Sequence, residues 1–177
     1  MQSPNYKDIL LNAIKNNADN LKWASGDFIG IKTVSNTKVG SIGQDFIEGL
    51  CKELGIECVF PLRKDKSRAT QSPWDLQING VKFELKTATE DTNGNFQFNH
   101  LRYHRPYDAV LCLGVTPNSL HFGIWSKADI ATGKAGTLVT MEKGANASYK
   151  LTKRPNQLSP ITEFEQSILK FTDSFSS

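Results

Sequence analysis

The chain has 177 residues, enough to bury a core as one domain without disulfides or a structural metal. With 38% apolar and 22% charged residues and no run of about 18 apolar ones, it reads as a globular chain with no membrane-spanning segment. A net charge of +3 is too small to mark a nucleic-acid binder, so the placement of charge carries more information than its sum.

The N-terminal stretch MQSPNYKDILLNAIKNN puts Lys7, Asp8 and Asn12 where a signal peptide needs an apolar core, so a cytoplasmic location is expected. Ile9, Leu10, Ala13, Ile14, Ala18 and Leu21 recur at helical spacing and predict an amphipathic helix over residues 6–23. Residues 26–34, GDFIGIKTV, suit a strand or extended arm. From Ser41, the apolar positions Ile42, Phe46, Leu50 and Leu54 repeat every four residues, widened by Ile47 and Cys51, and Gly55 ends this second helix. IECVFPL, residues 56–62, reads as a strand. The three cysteines, Cys51, Cys58 and Cys112, lie in apolar contexts without metal-ligand spacing and read as buried, reduced thiols.

The stretch SPWDLQINGVKFELKTAT, residues 72–89, alternates apolar and polar residues around Asn79-Gly80. Asn-Gly favours a two-residue type I′ turn, which needs positive φ at both positions. The register then sets Leu76 opposite Phe83 and Asp75 opposite Glu84. Leu76, Ile78, Val81, Phe83 and Leu85 point to one side; Asp75, Gln77, Lys82, Glu84 and Lys86 point to the other. Two opposed carboxylates with Cβ atoms ~5 Å apart destabilise a sheet unless positive charge sits between them. On a wet face, Lys82 and Lys86 supply that charge as an exposed ion-pair cluster. At a site, Asp75 and Glu84 hold a hard divalent cation and Lys86 stands beside the reacting phosphate.

Further along, FQFNH places Phe96 and Phe98 inward and Gln97 and Asn99 outward. Residues 107–115, YDAVLCLGV, form a nearly continuous apolar run, suited to a strand covered on both faces. LHFGIW reads as another strand, SKADIA as a short capped helix, the Gly-rich stretch 133–153 as irregular or hairpin structure, and residues 161–175 as a closing amphipathic helix. Basic residues gather at Arg63, Lys64, Lys66 and Arg68, at Arg102, His104 and Arg105, and at Lys150, Lys153 and Arg154. The order predicts an α/β or α+β domain.

The pattern PWD, eight residues, then ELK resembles the signature of the PD-(D/E)xK nuclease superfamily, with Trp74 intervening between the proline and Asp75. The preceding VGSIGQDFIEGLCKELG, residues 39–55, resembles the Gly-x-x-Gly helix with a downstream glutamate in MutH-like nicking enzymes and related type II restriction endonucleases. The resemblance covers residues 39–125 and implies a restriction-endonuclease-like α/β core, a mixed central sheet flanked by helices. It leaves residues 126–177 of this single nuclease domain as a specificity or dimer element. It implies Mg²⁺, with Mn²⁺ as a substitute, on Asp75, Glu84 and the Leu85 carbonyl, with Glu48 as the auxiliary ligand and Lys86 as the catalytic lysine. Gln44 lies one turn from Glu48 at the edge of the same apolar stripe.

Double-stranded DNA is the implied partner, contacted by Arg63, Lys64, Lys66, Arg68, Gln97, Asn99, His100, Arg102 and Arg105, and a palindromic target implies a homodimer. The first expected function is a Mg²⁺-dependent endonuclease of the type II restriction kind. The alternatives are a repair, recombination or mobile-element nuclease on the same fold, or a noncatalytic DNA-binding module.

Overall fold

The computed structural model describes residues 5–16, 21–67, 69, 72 and 74–175. Its centre is a six-stranded mixed sheet. The strands are β1 (Cys58–Val59), β2 (Leu76–Ile78), β3 (Val81–Thr89), β5 (Ala109–Val115), β6 (Leu120–Ser126) and β9 (Ser159–Pro160), in that spatial order. β3 and β5 are parallel, with Glu84 beside Val110 and Lys86 beside Cys112; the other pairings are antiparallel. A second, three-stranded antiparallel sheet has the order β4 (Phe96–Leu101), β8 (Ser148–Lys153), β7 (Leu138–Glu142). The helices are α1 (Tyr6–Asn16), α2 (Asn36–Leu54), α3 (Lys127–Ala131) and α4 (Phe164–Phe175). The expected α/β class with a mixed central sheet and flanking helices is therefore the observed one.

Each face of the central sheet carries its own core. On one face Leu76, Ile78, Val81, Phe83 and Leu85 meet Ile47 and Cys51 of α2 and Phe164 and Ile168 of α4. On the other, Ala88, Val110 and Cys112 meet Phe96, Phe98, Leu101 and Leu151 of the second sheet. Every residue of β5 is buried, which is why its sequence is an unbroken apolar run. Phe96 and Phe98 point inward as their alternation requires. Ser126 caps α3 by accepting the Asp129 N–H at 3.1 Å.

Several boundaries differ from the expectations. The first helix runs over Tyr6–Asn16, and Leu21–Ala24 forms a separate 3₁₀ turn; residues 17–20 of the expected helix lie outside the described residues. Tyr6, Ile9, Leu10 and Leu11 of α1 are exposed. Residues 26–34 contain the 3₁₀ turn Ile29–Thr33 in place of a strand, with Ile31 and Trp23 packed against Leu113 and Val115. The strand expected over 56–62 is limited to Cys58–Val59. Cys51 and Cys112 are buried as thiols, whereas Cys58 is half-buried. The Gly-rich stretch is a β-hairpin, β7–β8, added to β4. No helix among the described residues is long and apolar enough to cross a membrane.

α2 lies directly on β3, and one glycine sets the approach. A Cβ on Gly43 would fall 1.8 Å from Thr87 Oγ1 and 2.9 Å from Thr87 Cβ, whereas one on Gly49 would meet nothing within 4 Å. In helices alanine is favoured over glycine by about 1 kcal/mol, so the two positions should respond with opposite sign. Gly49→Ala is expected to raise the urea midpoint. Gly43→Ala should lower it, by roughly 1–3 kcal/mol of overpacking strain against the rigid threonine. Equal stabilisation by both would remove Gly43 as the contact that seats the helix.

Candidate active site

Asn79 and Gly80 have φ of 48° and 85°, the two positive values a type I′ turn requires. The ladder that follows pairs Ile78 with Val81, Gln77 with Lys82 and Leu76 with Phe83, as the sequence predicts. The register ends at that pair: Asp75 is not ladder-paired with Glu84 as the turn predicts, and its amide donates instead to the carbonyl of Phe83, the partner of Leu76, at 2.9 Å. There the strand stops. Asp75 Oδ2 accepts the Leu85 N–H at 2.7 Å, so a side-chain oxygen takes the place of the next backbone carbonyl.

The acidic face is not a wet surface. Glu84 is 4% exposed, covered by the second sheet and the loop after it. Lys86, two residues on and therefore on the same side of the strand, places Nζ 2.9 Å from Glu84 Oε1. Burial of Asp75, followed by the charge of Glu84, pushes the Asp75 carboxyl up to about 6, against the opposing pull of the Leu85 amide, Lys86 and Arg105. Ionising Asp75 beside Glu84 is therefore costly, and the Lys86 ammonium only partly offsets that cost. This burial sets the pair apart from a solvated ion-pair cluster.

The residues around the pair come from three parts of the chain. Gln44 of α2 donates Nε2 to the Asp75 carbonyl at 3.1 Å. Glu48, the expected auxiliary ligand, is one turn further along α2 and exposed. Among the described residues no group of three or more His, Cys, Asp or Glu side chains is arranged to hold a metal, so Asp75, Glu84 and Glu48 are not gathered into such a group. Leu85 is buried in the core and donates its amide to Asp75. Tyr107 closes the loop between β4 and β5; among the described residues its buried hydroxyl has no hydrogen-bond partner, and burial together with Glu84 raises its pKa well above the usual phenol range. Lys127 Nζ lies 4.4 Å from the Tyr107 ring centroid and donates to the Arg105 carbonyl.

A cleft of about 480 Å³ opens beside Lys86, lined by Thr87, Gln97, Asn99 and His100 and by Asn36 and Val39 in the first turn of α2. Ser35 makes no side-chain cap there and the first turn holds no acid, so the positive end of a 19-residue helix borders the cleft. Gln97 is oriented by donating Nε2 to Asp91 Oδ2 at 2.8 Å. His100 stands at a bulge in β4 with φ of 59°, its amide directed to Met141 Sδ at 3.4 Å.

Of the expected DNA contacts, the structure brings Gln97, Asn99 and His100 to one cleft with Lys86, and brings the charge of Arg105 to bear on Asp75. Arg102 is committed to Glu142 at 2.8 Å. Arg63, Lys64 and Lys66 are exposed on a turn closed by the Arg63 and Lys66 amides, and Arg68 lies outside the described residues. Sequence reasoning passed over Tyr107, whose only signal was a tyrosine at the mouth of an apolar strand. Gln44, one helical turn before Glu48, is the α2 side chain that bonds the Asp75 backbone.

No protein-family model matches the chain, and no curated protein matches it. Among solved structures a bacterial homing endonuclease is similar to it, with a TM-score of 0.41 and 16% identity over 68% of this chain and 75% of that one. No family follows from a likeness of that size.

The raised Asp75 carboxyl has a measurable effect on stability. The folded protein binds this proton more tightly than the unfolded chain, so the cost of ionisation is absent below about pH 3, grows from about pH 4 to 6 and is complete above. Asp75→Asn keeps an acceptor for the Leu85 amide and removes the charge. At pH 8 it should unfold at a higher temperature than the parent, by up to roughly 2 kcal/mol of stability, and the difference should shrink to nothing at pH 3. A variant less stable than the parent at pH 8 would show that Asp75 is comfortable as an anion.

Proposed function

We propose that the protein is a Mg²⁺-dependent endonuclease that hydrolyses phosphodiester bonds of double-stranded DNA, of the restriction type. The observation that supports this reading most is the neighbouring carboxylates Asp75 and Glu84, one with its carboxyl raised and the other nearly dry, with Lys86 bonded to Glu84 at the wall of a cleft that the α2 N-terminus borders. Mg²⁺ takes oxygen ligands and commonly uses one or two carboxylates while keeping waters for the remaining positions, so the donor set fits it. Asp75 and Glu84 would hold it, with the Leu85 carbonyl and a water-linked Glu48 as the resemblance implies. When bound it supplies positive charge to the phosphate and acidifies a water.

The remaining work falls to the chain's own groups. Lys86 Nζ, beside both carboxylates, orients the attacking water and neutralises charge that builds on the phosphate oxygens as the bond from water to phosphorus forms. The attacking water gives up its proton to solvent, the bond from phosphorus to the 3′ oxygen breaks, and that oxygen leaves with a proton taken up from solvent water. Gln44 steadies the backbone of Asp75, and the first turn of α2 offers its amides to a neighbouring phosphate. The exposed turn carrying Arg63, Lys64 and Lys66, with Arg105, adds sequence-independent grip. One acidic pair serves one strand at a time, so cutting both strands calls for two copies of the chain, as in a homodimer.

Purified protein should cut plasmid DNA with Mg²⁺ and stop with EDTA. Asp75→Ala, Glu84→Ala and Lys86→Ala should each lose at least roughly a hundred-fold in rate while keeping a folded circular dichroism spectrum. Glu48→Ala should lose less than Gln44→Ala if the helix acts through the Asp75 backbone, and more if Glu48 holds a metal water. Discrete fragments support the restriction reading; selective cutting of branched DNA supports repair or recombination with the same chemistry. Parent-like cutting by all three hairpin variants would end the assignment.

A further inference from the structure

Among the described residues, no layer packs on the outer face of the second sheet, whose Gln97, Asn99, Val139 and Met141 are exposed. Phe96, Phe98, Leu138 and Leu151 turn inward, which leaves Gln97, Asn99, Val139, Met141, Lys150 and Thr152 on the opposite side. The register sets Gln97 beside Thr152 and Val139 beside Lys150, so these side chains form one contiguous patch. Val139 and Met141 are 54% and 41% exposed, unusual for an edge strand in water. The carboxylates at its margins are engaged, Glu142 by Arg102 and Ser148 and Asp91 by Gln97 and two loop amides. The patch therefore offers amides, a hydroxyl, an ammonium and apolar methyl groups, with its negative charge tied back.

We infer that the β7–β8 hairpin is a two-stranded ribbon that enters the major groove of duplex DNA and reads base edges, with Gln97 and Asn99 of the neighbouring β4 at the groove's margin. This rests on the reading of the cleft as a DNA site, because Gln97 and Asn99 belong both to the cleft wall and to the outer face. A two-stranded ribbon fits a groove about 12 Å wide, since neighbouring strands are only about 4.8 Å apart. The chemistry of the patch matches what that groove displays. Amide side chains suit adenine, an ammonium suits guanine, and Val139 and Met141 suit the thymine methyl group. The hold of Asp91 on Gln97 Nε2 presents the amide in one orientation, leaving its oxygen as an acceptor for an exocyclic amino group. No basic cluster is needed on the ribbon itself, because grip comes from the turn at Arg63 to Lys66 and from the α2 terminus.

The experiment selects bound sequences from a random duplex library with the full chain, Ca²⁺ replacing Mg²⁺ so that binding is read apart from cutting. The parent should enrich a defined motif. Gln97→Ala and the double variant Lys150→Ala, Thr152→Ala should each flatten particular motif positions, with roughly ten-fold loss of discrimination there. Arg63→Ala with Lys64→Ala should weaken all sequences alike and leave the motif intact. These side chains point to solvent, so all variants should keep the parent's unfolding temperature to within a few degrees. No motif from the parent, or an unaltered motif from the ribbon variants, overturns the inference. A motif with no cleavage under Mg²⁺ would leave the ribbon standing and remove the nuclease.

Discussion

The hydrogen bond from the Leu85 amide to Asp75 Oδ2 marks where β2 ends and the site begins. Ordinary ladder pairing would continue β2 along β3. Instead the aspartate side chain caps the ladder, β3 runs on to Thr89, and its last turn of side chains is left to line a cleft. Local hydrogen bonding by a short acidic side chain competes with a backbone ladder, and here that competition converts a sheet edge into a wall. The same carboxylate is held against Glu84, so the structural role and the raised proton affinity belong to one group.

The second sheet gives that pair its character. A hairpin with Asp75, Glu84 and Lys86 facing water would carry an ion-pair cluster worth little. Covering it with Phe96, Phe98, Leu101 and the loop through Tyr107 removes water from Glu84 and strengthens every charge interaction nearby. A buried pair in which one partner lacks compensation is costly. The orphaned Tyr107 hydroxyl belongs to the same setting, a polar group enclosed beside a carboxylate with no partner among the described residues to satisfy it.

The hairpin was legible because its signals are local: Asn-Gly demands one turn type, and strict alternation leaves one register. β5 was legible because burial on both faces removes polar residues altogether. The dry environment of Glu84 was not, since it depends on how β4 and the loop through Tyr107 fold back over the strand, which sequence spacing does not specify. That Gln44 is the α2 side chain bonding the Asp75 backbone depends on how α2 is rotated about its axis. That rotation follows from Gly43 nesting on Thr87, a contact between segments that sequence spacing does not relate. The exposed apolar residues of α1 and the 3₁₀ turn at Ile29–Thr33 similarly depend on what lies opposite them. The basic clusters were visible as composition, but their fates differ: Arg102 is bound to Glu142, while Arg105 acts on Asp75.

The tight turn at Asn79-Gly80 also orders events in time. Closing a two-residue loop is fast, so the acidic pair comes together while still bathed in water. The parallel pairing of β3 with β5 must wait for a longer excursion, during which β4 leaves for another sheet whose partner β8 arrives still later in the chain. Desolvation of the carboxylates is thereby postponed to the docking of the outer sheet, and the electrostatic burden falls on the final step of folding rather than on its nucleus.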